Sequence, residues 1–470
     1  MEPVRVVETA IGRVERTFYN ANTGVVGDSL QAVYNGEPFD RKSLVWYFSL
    51  GYVPGDLTLF QNIFCLPGGA KCEVAKGGYK VLDRFYYEDL IKPDRFDGMD
   101  EASILNAAHT TITEVVETLY LKNKDVVLAL TGGLDSRLLL GALLEVTEGK
   151  NIKSFCWGFE DTYDYEIGKL LGKRFGLKHS SYNLMQLPFG IDQLKCFAEI
   201  SDANTNLFEQ PPIEFLNRDF HNANLWLGVL GGTASGSNLP VSKLENPESF
   251  FLQQEKSRTG LLTSAAQTLL GESITPADVK ALTKDYRVLT HDTLDIYNHH
   301  ERLIGHTVFV RGFSFVVPFQ SLKWLSMCLS LPGEYRNKKR PILVKLLNTH
   351  YKALAKLPTA NTKGRPLVQS GLKRFLNSGI NKFFPRRTTG KRAKFRTLNE
   401  FDMQLNELLP LVLSSLDDFE PVLDVVNFEN RLKLICNEHQ YKIFDHTKTL
   451  ELIISLIVIS RVIKQIPRDK

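Results

Sequence analysis

The feature that most narrows what this chain can fold into is Leu128-Ala-Leu-Thr131-Gly132-Gly133-Leu134-Asp135-Ser136-Arg137-Leu138, where a bounded apolar run meets two adjacent glycines and then a helical apolar pattern. Glycine has no Cβ, so it adopts backbone conformations closed to other residues and lets a ligand approach closely. The helix that follows would point its positive end at the turn, and Thr131 and Ser136 add hydroxyls, which together make a cradle for phosphate. Leu130, Thr131, Gly132, Gly133 and Ser136 are therefore candidate phosphate-binding residues. Asp135 would repel a phosphate met directly, so its sensible role is to hold one through a bridging Mg²⁺. Taken alone, the same turn also describes a tight strand-to-helix junction with Asp135 as its cap.

The flanking pattern sets the fold class. Ile104, Ala108, Ile112, Val115, Val116 and Leu119 recur at helical spacing, Asp125–Leu130 is a short apolar run, and Leu138–Leu144 is helical again. Ile152–Trp157 and Tyr165–Phe175 repeat the strand-to-helix passage, and a third strand, Leu225–Leu230, runs into the Gly-rich Gly228-Val-Leu-Gly-Gly232-Thr-Ala-Ser-Gly236-Ser237. Such alternation predicts an α/β fold with a parallel nucleotide-binding sheet. Beyond Pro247 periodic segments at 258–271, 277–304, 321–331, 341–355, 401–416 and 447–465 predict a helical C-terminal half. Before it, Arg5–Val7, Leu44–Phe48, Ala70–Val74 and Tyr79–Tyr87, set apart by Gly, Pro and Asn, predict a small β-rich N-terminal unit. The expected division is 1–95 and 96–470, in keeping with the length of 470 residues.

Composition excludes several classes. With 43% hydrophobic and 23% charged residues the chain is neither disordered, collagenous nor coiled coil, and a net charge of +4 implies no specific nucleic-acid partner. The six cysteines lack a CxxC pair or His-flanked spacing, so neither a disulfide framework nor a zinc site is signalled, and a cytoplasmic setting fits. The N-terminal stretch has no signal-peptide core, and Leu450–Ile463 falls short of the ~20 residues of a bilayer span. Nine basic residues and no acidic one lie between Lys373 and Arg396, interleaved with Leu372, Phe375, Leu376, Ile380, Phe383 and Phe384. That segment, 372–396, reads either as a solvated loop or as a basic amphipathic helix making weak contact with an anionic surface. His179, His299 and His300 have no metal-ligand spacing and read as core or surface histidines; Phe309–Phe319 reads as core.

Thr131-Gly-Gly-Leu-Asp-Ser136 resembles the S-G-G-x-D-S loop of the ATP pyrophosphatase (PP-loop) superfamily, with a threonine for the first serine. Ser154-Phe-Cys-Trp-Gly158, Asp164, Leu171 and Phe175-Gly-Leu-Lys-His179 resemble the next strand, helix and histidine passage of asparagine synthetase-like proteins. Gly51-Tyr-Val-Pro-Gly55, Thr58-Leu-Phe60, Leu66-Pro67-Gly68, Glu301-Arg302, Pro318-Phe319 and Leu357-Pro358-Thr359 follow in that family's order, and beta-lactam synthetases and lasso-peptide cyclases are related. The resemblance implies an adenine nucleotide alpha hydrolase-like domain that binds ATP and Mg²⁺, adenylates a small-molecule or peptide carboxylate with release of pyrophosphate, and passes it to ammonia or an amine from solution or a partner protein. It also implies an adenine side at Gly158, a nucleotide contact at Gly228, Mg²⁺ on Asp135 and pyrophosphate-stabilising cations at Lys339 and Arg340.

The sequence departs from that family in three places. Glu2 stands where the family's glutaminase has its N-terminal cysteine, and Cys65 and Cys72 are interior, so the N-terminal unit is expected to be a truncated glutaminase remnant, acting as support, as a cover over the site or as a partner surface. Val229 and Gly232 stand where the family has a glutamate and a metal-binding aspartate, and Ser314 and Ser321 stand at acidic positions around Pro-Phe. The alternative expectation is therefore a nucleotide-binding or regulatory protein that has lost the chemistry.

Overall fold

The computed structural model of the chain describes residues 4–202, 204–240, 246–259, 263–287, 289–368, 396–402, 407, 410, 412–414, 424–440 and 446–464. Its centre is a five-stranded parallel sheet in the order Ser314–Val316, Asn224–Trp226, Val126–Ala129, Ile152–Gly158, Lys178–Asn183. Successive side chains of a strand point to opposite faces. Val126 and Leu128 thus enter one core with the helices Glu101–Lys122, Leu134–Val146 and Pro341–Thr349, whereas Val127 and Ala129 enter another with Phe155, Leu216 and Leu225. Burial on both faces is why the middle strand reads as an unbroken apolar run.

The two edge strands escaped the sequence reading. Lys178–Asn183 (KHSSYN) is an edge strand whose first four residues are exposed or half-buried, in keeping with its polar sequence, and Ser314–Val316 is three residues long inside an aromatic-rich tract. The N-terminal region is β-rich in part: two three-stranded antiparallel sheets, Arg5–Glu8 with Ala70–Ala75 and Gly78–Arg84, and Val26–Gly27 with Phe18–Asn20 and Ile63–Cys65. Leu44–Phe48 is a correction: it lies in the helix Arg41–Leu50. The Asp40 carboxylate accepts from the Ser43 N–H at 2.7 Å and Gly51, at φ 80°, closes the helix. Every residue from Ser43 to Leu50 is buried, so no helical period was left to read.

Residues on both sides of position 95 share a core in which Phe18, Leu44 and Phe48 pack with Leu452, Ile453 and Leu456 of the helix Thr447–Lys464. The single helix expected over 277–304 is broken into Pro276–Leu282, His291–Leu294 and the π-helical Asp295–Ile304, which continues as Gly305–Val308. Thr290 starts the later part afresh, its hydroxyl accepting from the Thr293 N–H at 3.2 Å. Much of 401–416 and all of 372–396 except Arg396 lie outside the described residues. Arg396 is not a surface charge: it is buried, donates to the carbonyls of Leu184, Leu187 and Pro188, and stacks over Phe189. Among the described residues no helix is long and apolar enough to cross a membrane.

Candidate functional site

The strand Val126–Ala129 leads through residues 130–133 into the helix Leu134–Val146. Neither Gly132 nor Gly133 has positive φ, so the turn does not need glycine for its backbone angles. It needs the missing side chain. A Cβ on Gly132 would lie 2.8 Å from the Tyr163 carbonyl oxygen and 3.0 Å from the Ala360 Cβ. The Gly132 carbonyl accepts from the Ala360 N–H at 2.8 Å, fixing the turn against residues 358–362.

Within the turn the hydroxyls bind the backbone. The Thr131 N–H donates to Ser136 Oγ at 3.2 Å, the two hydroxyl oxygens are 3.1 Å apart, and the Gly133 N–H donates to Thr131 Oγ1 at 3.2 Å. Arg137, which the sequence reading passed over, fixes the start of the helix from behind. It is fully buried and donates to the carbonyls of Leu354 at 2.7 Å, Leu357 at 3.1 Å and Pro358. Burial lowers its pKa to about 10, still a cation at neutral pH. The signal for it was the one basic residue inside the apolar helix Leu134–Val146.

Asp135 faces the cation of Arg340, whose guanidinium Nη1 lies 3.2 Å from Oδ2 and 3.5 Å from Oδ1. Arg340 precedes the helix Pro341–Thr349 with φ 52°, a left-handed conformation that turns the chain toward the loop. The Gly-rich segment packs over the same carboxylate. A Cβ on Gly228 would meet the Ser136 N at 3.0 Å, one on Gly231 would meet Asp135 Oδ1 at 2.9 Å, and one on Gly232 would sit 3.6 Å from Asp135 Oδ2 and 3.6 Å from Arg340.

Thr131, Asp135, Ser136, Gly228 and Arg340 open onto one cavity of about 560 Å³. The other candidates do not line it: Leu130 is buried in the core, Gly132 and Gly133 are at the back of the turn, and Lys339 is exposed. Gly158 ends its strand at φ 152°, where a Cβ would crowd Tyr165 at 3.2 Å. Ser314 is exposed, and neither it nor Ser321 faces the cavity, so serines there say little about what the cavity takes.

His299 and His300 line the cavity, where the sequence reading had them as core or surface. His299 Nδ1 is 3.4 Å from the buried Glu255 carboxylate, which also accepts from the Tyr52 hydroxyl at 3.1 Å. His300 Nε2 meets the Thr233 hydroxyl, which donates to Asp295 at 2.9 Å, and the Asn238 amide donates to the same carboxylate at 2.8 Å. The adjacent histidines beside Glu301-Arg302 were the one available signal. Histidine 179, by contrast, is packed against the helix Tyr163–Arg174, with Nδ1 2.9 Å from Ser154 Oγ; burial, then Lys169, lowers its pKa to about 4. Among the described residues no cluster of three or more His, Cys, Asp or Glu is placed to hold a metal ion.

No protein-family model matches the chain. Over 184 residues it is 22% identical to a protein of Methanocaldococcus jannaschii named putative asparagine synthetase [glutamine-hydrolyzing] 2, a match covering 39% of this chain and about a third (34%) of that relative. Among solved structures, a glutamine-dependent NAD⁺ synthetase from Acinetobacter baumannii in complex with ADP aligns over 87% of this chain and 62% of its own at 12% identity, with a TM-score of 0.21, too loose a superposition to transfer a fold or a ligand.

Proposed function

We propose that the chain is an ATP-dependent, amide-forming ligase of the asparagine synthetase-like class. It activates a carboxylate at the cavity floored by the central sheet and passes it to ammonia or an amine. The observation that carries this reading is that Thr131, Asp135 and Ser136 of the turn open on the cavity, with Arg340 paired to Asp135 at 3.2 Å beside them. The distant likeness to a protein named asparagine synthetase supports the same class.

The residues fit a nucleotide triphosphate. The glycines let the turn pack tightly against Tyr163 and Ala360, Ser136 and Thr131 present hydroxyls at the cavity, and the following helix directs its positive end toward it. A metal ion fits only as one carried by the phosphates, since Asp135 is the carboxylate at that end of the cavity. When bound, Mg²⁺ on Asp135 would draw charge from the departing pyrophosphate. Arg340 adds a second positive charge on the same side.

In the first step a carboxylate oxygen attacks the α-phosphorus and the bond to pyrophosphate breaks. In the second the amine nitrogen attacks the acyl carbon, AMP leaves, and the nitrogen gives up a proton that His299 or His300 on the facing wall can take. We read residues 1–95 as support for that wall, without glutaminase chemistry of their own: none of the described ones lines the cavity, and both of their cysteines, Cys65 and Cys72, are buried. The test is carboxylate-dependent pyrophosphate release by purified protein with ATP and Mg²⁺. ATP binding without pyrophosphate from any carboxylate would instead favour the nucleotide-binding reading, which the missing acids at Val229 and Gly232 motivate.

A further inference from the structure

We infer that the carboxylate taken by this cavity is an acid with an apolar body, a medium-length acyl or arylalkyl chain, and not an acidic amino acid. The inference rests on the ligase reading above and names its substrate class.

The floor of the cavity is one face of the sheet. Ala129, Phe155 and Trp157, Leu225 and Leu227, and Phe315 come from four neighbouring strands or the residues just after them, and all open onto it. Neighbouring strands are about 4.8 Å apart, so the floor extends to either side of the loop-bearing strand, farther than a phosphate chain alone requires. On one side lies Ile152–Gly158, which presents the stacked rings of Phe155 and Trp157, 5.9 Å apart at 19°, a surface for a flat heterocycle. On the other side lie Asn224–Trp226 and Ser314–Val316, where Leu227 and Phe315 line the cavity together with Leu303, Val308, Val310 and Phe313, whose ring is 6.2 Å from that of Phe315.

Among the described residues that second side presents no cationic side chain other than the histidines. Among the described residues lining the cavity the charged ones other than the histidines are Asp135, Arg340 and Glu209. Arg340 is engaged with Asp135 at the phosphate end, and Glu209, itself an anion, sits 3.4 Å from Lys448. An acidic amino acid carries a second carboxylate, which against this apolar lining would be partly desolvated without a countercharge and so be disfavoured. An acid with an apolar body leaves its one carboxylate at the polar border, near Thr233, Asn238 and the histidines, and lays its chain on Leu227 and Phe315. Each methylene buried there is worth about fourfold in affinity.

The experiment uses the full chain with ATP and Mg²⁺ and compares pyrophosphate release with butanoate, octanoate, 3-phenylpropanoate and aspartate. A parallel measurement follows the melting temperature of the ADP-bound protein with each acid, which needs no turnover. The variants are Phe313→Arg, which places a cation beside Phe315 in the cavity lining, and Phe313→Leu as its conservative control. The expected result is at least ~10-fold greater activity with octanoate or 3-phenylpropanoate than with aspartate. Phe313→Arg should lose that preference with ADP affinity unchanged, and Phe313→Leu should keep it. If ATP is consumed but aspartate serves as well as octanoate, the inference falls and the ligase reading stands. If Phe313→Arg weakens ADP as much as octanoate, the apolar floor belongs to the base and the inference also falls. If no acid releases pyrophosphate, the ligase reading fails, and the melting curve decides alone: a rise with octanoate but not aspartate upholds an apolar-acid site, and no rise removes it.

Discussion

The two walls of the cavity are built in opposite ways. One wall is local: strand, turn and helix follow each other within residues 126–146, and Thr131, Asp135 and Ser136 reach the cavity because they are a few residues apart. The other wall, the π-helical Asp295–Ile304 and the residues after it, is held by groups far away in sequence. Arg302 Nε donates to the Val53 carbonyl at 3.1 Å across 249 positions, and its Nη2 donates to Leu57. The Gly55 N–H donates to Asn298 at 3.1 Å, and Arg16 donates to the carbonyls of Gly305 at 3.0 Å and Phe309 at 2.9 Å. A local wall concentrates chemistry in a few side chains; a long-range wall spreads its support through the fold. Substitutions on the first should therefore change rate, and substitutions behind the second should change stability.

The largest expected effect tests the first wall. On the proposed reading, Asp135→Ala should lower carboxylate-dependent pyrophosphate release by at least ~10³-fold, because the developing charge on the leaving group would lose the carboxylate proposed to hold Mg²⁺. Its urea unfolding free energy should move by no more than about 1 kcal/mol, as expected for a partly exposed ion pair. Unchanged pyrophosphate release would reduce the turn to a helix junction. The second wall should respond the other way round. Arg302→Met removes a fully buried guanidinium and leaves the carbonyls of Val53 and Leu57 without it, so chemical denaturation should show a loss of about 2–4 kcal/mol. Pyrophosphate release per folded molecule should stay within a few-fold of the parent. A large rate loss at unchanged stability would break the comparison.

This asymmetry also explains what was legible in the sequence. The parallel sheet and the turn were readable because their signals are contiguous: an apolar run, two glycines, then helical spacing. The helix Arg41–Leu50 was misread because it is buried all round, and the edge strands were missed because they are short or polar. His299, His300, Thr233 and Asn238 come together only through the fold, and nothing in their spacing announces a shared wall. Arg340 was named together with its neighbour Lys339, and sequence alone does not tell them apart. Their positions differ: Arg340 is near Asp135 and Lys339 is exposed. Arg340→Ala should reduce pyrophosphate release about 30-fold and Lys339→Ala by less than about twofold, both measured under saturating ATP.

A smaller effect concerns pH and the sheet on the loop side. His179 has a folded pKa of about 4 against an ordinary 6.5, so between those values the unfolded chain binds a proton that the folded chain does not. Its contribution is fully present above pH 6.5 and is lost as pH falls toward 4. His179→Asn should therefore flatten the fall in melting temperature between those limits, whatever its effect on the plateau. An unaltered slope would assign the acid limb to other groups.

The smallest effect lies where the two walls meet. At Gly232 a side chain fits with a small shift of the Ser237 hydroxyl: φ is not left-handed, the nearest atom to a Cβ is Ser237 Oγ at 3.2 Å, and Asp135 and Arg340 are each 3.6 Å away. At Gly231 it has none, since a Cβ would approach the Phe319 ring at 2.8 Å and Asp135 at 2.9 Å. An aspartate at 232 would put a second carboxylate beside Asp135, on the side from which phosphate-bound Mg²⁺ would be held. Without the ion, the two anions share Arg340 and repel, so the apo protein should melt slightly lower. With the ion the repulsion turns into coordination, and the Mg²⁺ concentration giving half-maximal pyrophosphate release should fall about threefold in Gly232→Asp. Gly231→Asp should instead destabilise the chain with no gain in Mg²⁺ response, because steric displacement of Phe319 precedes any metal contact. If Gly232→Asp raises the Mg²⁺ requirement, the carboxylate at 135 does not face the metal, and the division of labour between the two walls has to be redrawn around Arg340.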